Sequence, residues 1–209
     1  MISLTRRLSV VTILAGLALG LPAAARADDG QLMKTLRGGG NVILVRHGAT
    51  YSNQADLDPF HLDNVAAQRT LTDKGKALAK GFGEALRAAE LPIGDVYTSR
   101  FDRAYQTAAL AGLQGIETST DISEGGLVVT TDENNRRAAA LKAMLANPPK
   151  PATNTIIVTH RPNILDALGK DWFDVKEGEA SIFRPEKDGY VLVARLQMAD
   201  WPRIAGAGK

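Results

Sequence analysis

The chain has 209 residues, with 25 Lys and Arg against 23 Asp and Glu, and no Cys. That length holds one domain with a real core, and the missing Cys excludes disulfides, thiolate metal ligands and a Cys nucleophile. The basic excess belongs to residues 1–27, which hold Arg6, Arg7, Arg26 and no acid; the remainder sets 22 basic against 23 acidic residues, so no bulk attraction for nucleic acid or anionic membrane is expected.

Residues 1–27 read as a cleavable signal peptide: Arg6 and Arg7 form a basic start, 8–21 is an apolar run, and Ala25-Arg26-Ala27 is a small-x-small cleavage site. The apolar run is shorter than the roughly twenty residues a membrane-spanning helix needs. The expected mature domain is therefore 28–209, exported to a periplasm or the medium, without a stable membrane anchor after cleavage.

Along that domain, Val- and Ile-rich runs alternate with segments of helical period, the pattern of an α/β sandwich with a mostly parallel central sheet. Residues 41–46 (NVILVR) are too apolar for a half-exposed strand and predict a central one. Thr72-Asp73-Lys74-Gly75 opens a helix to about Ala89, with Leu78, Phe82, Ala85 and Leu86 on one face; Leu91-Pro92 ends it. A short strand over 95–98 follows, then a helix over 101–111 closed by Gly112. Residues 116–133 read as irregular with short strand pieces, 134–146 as helix stopped by Asn147-Pro148-Pro149, and 155–159 (TIIVT) as a second buried parallel strand. A short helix over 163–168 and an edge hairpin formed by 180–184 and 190–196 complete a single domain without internal repeats.

In open α/β sheets, ligands bind outside the carboxyl ends of the strands. Three predicted strand ends carry related residues: Arg46-His47-Gly48, Ser99-Arg100 and His160-Arg161. Two Arg and two His in one crevice would make an anion pocket, because guanidinium groups grip phosphate oxygens in pairs and imidazole donates or attacks. Each piece alone has a plainer reading, since a strand may end in a basic residue and a His, and a lone His is more often a satisfied core residue. His61 matches nothing specific, and the spacing of the three His fits no zinc site.

Taken in order, these residues resemble the histidine phosphatase superfamily, which includes phosphoglycerate mutases and many phosphatases. Arg46-His47-Gly48 is similar to its RHG signature, with Asn53 at the offset of a phosphate-contacting Asn. Leu71-Thr72-Asp73-Lys74-Gly75 is similar to its LTxxG segment, and Ser99 with 103–108 (RAYQTA) to its SxxxRAxxTA pattern. Val158-Thr159-His160 is similar to the strand that delivers its second His.

The resemblance implies a three-layer, phosphoglycerate mutase-like sandwich and an enzyme without metal or other cofactor, acting on a small phosphorylated substrate. It implies that neutral His47 attacks phosphorus and forms phosphohistidine, while Arg46, Arg100, His160 and Asn53 hold the phosphate. Arg103 is taken as structural or as a charge at the entrance. Glu124 in Ile122-Ser123-Glu124 stands where the family places its general acid, although Gly125-Gly126-Leu127 lacks the usual aromatic; Glu133 and Glu179 compete for the role. The interval from Arg100 to His160, about sixty residues, leaves no room for the insertions of a mutase and favours a phosphatase. Small phosphomonoesters and a phosphorylated envelope heptose are the candidate substrates, and a catalytically idle phosphate or phosphosugar binder is the rival reading.

Overall fold

The computed structural model describes residues 29–125 and 128–206; the expected signal peptide at 1–27 lies outside them. Strand β1 (Val42–Arg46) is buried on both faces, as its unbroken apolar run requires. Its side chains alternate between two cores, Ile43 and Val45 in one, Val42 and Leu44 in the other. The strand β4 (Asn154–Thr159) does the same with Ile156 and Val158 against Ile157.

The six-stranded sheet has the order β3-β2-β4-β1-β5-β6. β2 (Ile93–Ser99), β3 (Ile116–Ser119), β4 and β1 are mutually parallel, while β5 (Glu179–Glu186) runs antiparallel to β1 and pairs with β6 (Gly189–Gln197) as the expected hairpin. On one face, α1 (Asp29–Arg37), α2 (Asp73–Ala88), α3 (Asp102–Leu110) and α6 (Trp201–Gly206) supply Leu32, Phe82, Ala104 and Trp201 to the first core. On the other, α4 (Thr131–Ala146) and α5 (Arg161–Leu168) supply Leu141 and Ile164 to the second. The result is the three-layer sandwich expected from the alternating pattern.

Two short helices, α1 and α6, are additions to the sequence reading. Helix α4 starts three residues earlier than expected, because the Thr130 hydroxyl accepts the Glu133 N–H (3.2 Å) and caps it. The α2 cap is where the sequence puts it, with the Thr72 hydroxyl accepting the Gly75 N–H at 3.0 Å.

Parallel pairing aligns the carboxyl ends of β1, β2 and β4 on one edge, with Arg46 opposite Thr159 and Thr98 opposite Val158. Two glycines let other segments close on that edge. At Gly75 an added Cβ would collide with the Ala49 backbone, so only Gly lets α2 start against the turn after β1. Gly178 has φ +74° and directs its N–H at the carbonyls of Arg46 (3.1 Å) and His47 (2.9 Å). Among the described residues no helix is long and apolar enough to cross a membrane.

Candidate active site

His47 ends β1 with its backbone N–H donated to the Thr159 carbonyl at 3.0 Å. The next N–H, of Gly48, donates to Thr107 Oγ1 (3.0 Å), and that hydroxyl donates to the Arg103 carbonyl (2.7 Å), which fastens the turn to α3. The imidazole is 1 % exposed, and its Nδ1 lies 2.8 Å from the Gly48 carbonyl oxygen. A carbonyl only accepts, so Nδ1 carries the proton of the neutral ring and Nε2 keeps its lone pair. Burial, reinforced by the Arg103 cation, pushes the His47 pKa down to about 3. The ring is therefore neutral, with its lone pair on Nε2.

His160 precedes α5, is fully buried, and lies with its ring centroid 5.1 Å from that of His47. Its Nε2 is 2.7 Å from Ser99 Oγ, whereas its buried Nδ1 has no hydrogen-bond partner and is 3.8 Å from Glu124 Oε1. Burial first, then the Arg103 cation, hold its pKa well below the ordinary value, so this ring is neutral too.

Arg46 donates Nη1 to the Val175 carbonyl (2.7 Å) and holds Nη2 3.6 Å from Glu177, which also accepts from the Thr50 N–H and hydroxyl. Arg103 is completely buried: Nη1 and Nη2 grip both oxygens of Asp56 (2.9 and 3.2 Å), and Nη2 also donates to Glu124. Its guanidinium lies over the Phe101 ring, 4.3 Å from the centroid. The Nε atoms of Arg46 and Arg103 are buried without partners.

The sequence placement of the second arginine is corrected here. Arg100 stands at the rim, its side chain 39 % exposed and paired with Asp63 at 2.7 Å, because the chain bends outward between β2 and α3. Arg103 is the inward residue, on the buried stripe of α3 with Ala104, Thr107 and Ala108. That stripe was the signal in the sequence that could have found it. Asn53, expected to contact phosphate, is exposed on the loop after Thr50.

Of the three candidate acids, Glu124 alone reaches the two histidines' surroundings. Glu133 is an exposed partner of Arg136 and Arg137, which draw its pKa down to about 2. Glu179 is buried in a β5–β6 tie, accepting from Arg195, the Lys176 N–H and Gln197. Asp56, Glu177 and the half-buried Arg69, whose charge helps depress His47, His160 and Arg46, belong to the site and were not found from sequence. They lie in loops, where no periodicity fixes the side-chain direction. His61 is exposed and pairs with Asp58. Among the described residues no three His, Asp or Glu are grouped to hold a metal ion.

Residues 42–127 match the family model of the histidine phosphatase superfamily (branch 1). A comparison with curated proteins gives no match. Among solved structures, the chain is similar to a protein histidine phosphatase SixA complexed with tungstate, at 18 % identity and TM-score 0.54, over 77 % of this chain and 98 % of that one. It is also similar to a phosphoserine phosphatase of Entamoeba histolytica in complex with phosphoserine, at 16 % identity and TM-score 0.53, over 76 % and 97 %. YhfR of Bacillus stearothermophilus gives 16 % identity and TM-score 0.52, over 74 % and 95 %. At these identities the likeness is one of fold.

Proposed function

We propose that this chain, whose residues 42–127 match the histidine phosphatase superfamily, is an exported, metal-independent phosphatase that passes a phosphoryl group from a phosphomonoester to His47 and then to water. One observation carries this reading. Three buried nitrogens, Arg46 Nε, Arg103 Nε and His160 Nδ1, have no protein partner and belong to the side chains around a neutral His47. Buried donors without partners cost free energy, and an anion bound among them removes that cost.

Phosphoryl transfer needs chiefly positioning and neutralised charge, which fixed guanidinium donors supply as a metal ion does elsewhere. The lone pair of His47 Nε2 forms the bond to phosphorus as the bond to the leaving oxygen breaks. Arg103 sits beside both histidines and is the second arginine of the cage, in place of Arg100. Glu124, shared between Arg103 and the space next to His160, delivers the proton to the leaving oxygen. In the second step Glu124 takes a proton from water as the water oxygen bonds phosphorus and the Nε2–P bond breaks.

Export rests on residues 1–27, and its test is the amino terminus of the protein recovered outside the cytoplasm, expected at Asp28. The activity is tested with a panel of alkyl, aryl and sugar phosphates and a phosphohistidine peptide, with EDTA present throughout. Phosphate release from a monoester, with base-stable, acid-labile label on His47, is the expected result. Binding of phosphate with no release from any substrate would leave a receptor, and loss in EDTA restored by a divalent ion would make it a metal enzyme.

A further inference from the structure

His160 has one buried nitrogen without a protein partner, Nδ1, and its other nitrogen, Nε2, is buried against a serine. Ser99, at the end of β2, lies with its Oγ 2.7 Å from His160 Nε2 and 3.1 Å from Ser123 Oγ, and it accepts the Phe101 N–H at 3.1 Å. Ser123 in turn accepts the Arg100 N–H (2.9 Å) and donates its only proton to the Ser119 carbonyl (2.8 Å). Ser99 and Ser123 are both fully buried.

We propose that Ser99 is a positioning residue that donates its hydroxyl proton to His160 Nε2 and thereby holds the proton of His160 on Nδ1, facing the phosphoryl site. The hydrogen-bond inventory allows two arrangements. In the first, Ser99 donates to Nε2 and Nδ1 carries a proton. In the second, Nε2–H donates to Ser99, Ser99 donates to Ser123, and Nδ1 bears a lone pair. The second arrangement aims that lone pair at the Glu124 carboxylate 3.8 Å away, and at any phosphate oxygen bound there, where it repels both. The first uses the shorter of the two contacts of Ser99 and points an N–H at the same groups. Its consequence rests on the phosphatase reading: His160 donates to a phosphate oxygen while remaining neutral, which a fully buried imidazole between arginines requires. A second consequence concerns Ser123. It precedes Glu124 directly, so the network that orients His160 also fixes the backbone that presents the proposed acid.

The test is nitrogen NMR of the full chain labelled at its three His, whose ring shifts and couplings report which nitrogen bears the proton. His61→Ala and His47→Asn assign the signals. The expected wild-type spectrum has His160 protonated on Nδ1 and bare at Nε2. Ser99→Ala moves the proton to Nε2, in whole or in part, and Ser99→Thr, which keeps the hydroxyl, restores it. In turnover, Ser99→Ala lowers kcat/KM by roughly 10- to 100-fold, the range seen for other partners that orient a working imidazole, and Ser99→Thr recovers most of it. A wild-type His160 protonated on Nε2, or a tautomer unchanged in Ser99→Ala, overturns the proposal. The spectrum is independent of catalysis. The expected tautomer in a protein that hydrolyses no monoester would overturn the phosphatase reading and leave the role of Ser99 standing.

Discussion

Arg103 holds Asp56 and Glu124 together through its planar fork, and not merely through its charge. Arg103→Lys keeps the charge and loses the fork. With nitrophenyl phosphate its kcat/KM is expected to fall about 10²-fold or more, the scale for removing a preorganised donor, while circular dichroism stays unchanged. Arg100→Ala breaks only a rim pair with Asp63, and exposed pairs are worth about 1 kcal/mol or less, so its rate stays within about fivefold of wild type. The reverse ranking would return Arg100 to the cage. Glu124 is tested by the leaving group. Glu124→Gln is expected to slow alkyl phosphates by about 10²- to 10⁴-fold, because a poor leaving group needs the proton. Nitrophenolate needs none, so the same variant should release one enzyme equivalent of nitrophenol rapidly and then stall for want of a base to activate water. Asp56→Asn should show no such split. Equal losses on both substrates in Glu124→Gln would move the acid elsewhere.

At the scale of elements, what was legible in the sequence follows from where a period can be read. β1, β4 and the α2 cap are announced by apolar runs and by Thr72, and they deliver His47 and His160 to one edge. Arg100, one residue after β2, turns outward, because a strand's alternation says nothing about a bend. The helical period of α3 then assigns Arg103 to the buried face and leaves Arg100 outside. Asp56, Arg69 and Glu177 were out of reach because loops have no period, and α6, six residues long, is too short to show one. That helix nevertheless matters. Trp201 is fully buried with its ring 5.0 Å from Phe82 of α2, edge to face. Trp201→Ala is expected to cost about 3–5 kcal/mol in urea unfolding, as for other large aromatic truncations. Trp201→Phe should cost clearly less, because the indole N–H it removes is buried with no acceptor. Equal losses would mean that the N–H is satisfied in solution.

For the molecule as a whole, the same burial that keeps His47 neutral makes the fold sensitive to acid. His47 is held to a pKa of about 3 and His160 well below its ordinary value, both chiefly by burial, whereas in the unfolded chain each titrates near 6.5. Between those limits the unfolded chain binds up to two more protons than the folded one, so stability is fully present above about pH 6.5 and falls as pH drops. Once the unfolded histidines are protonated, near pH 5, two such groups give a slope of about 2.7 kcal/mol per pH unit. Glu133, held ionised by Arg136 and Arg137, adds a loss of the same sign below the ordinary carboxylate range. Against a total of about 5–15 kcal/mol for a domain, this slope removes about 5 kcal/mol by pH 4.5, so a domain at the lower end of that range unfolds between about pH 3 and 5. Urea midpoints measured from pH 7.5 to 4.5 should be flat at the alkaline end and then decline. His160→Asn should halve the slope whatever it does to stability at pH 7.5. Midpoints independent of pH across that range would mean that the two rings are solvated in the native protein.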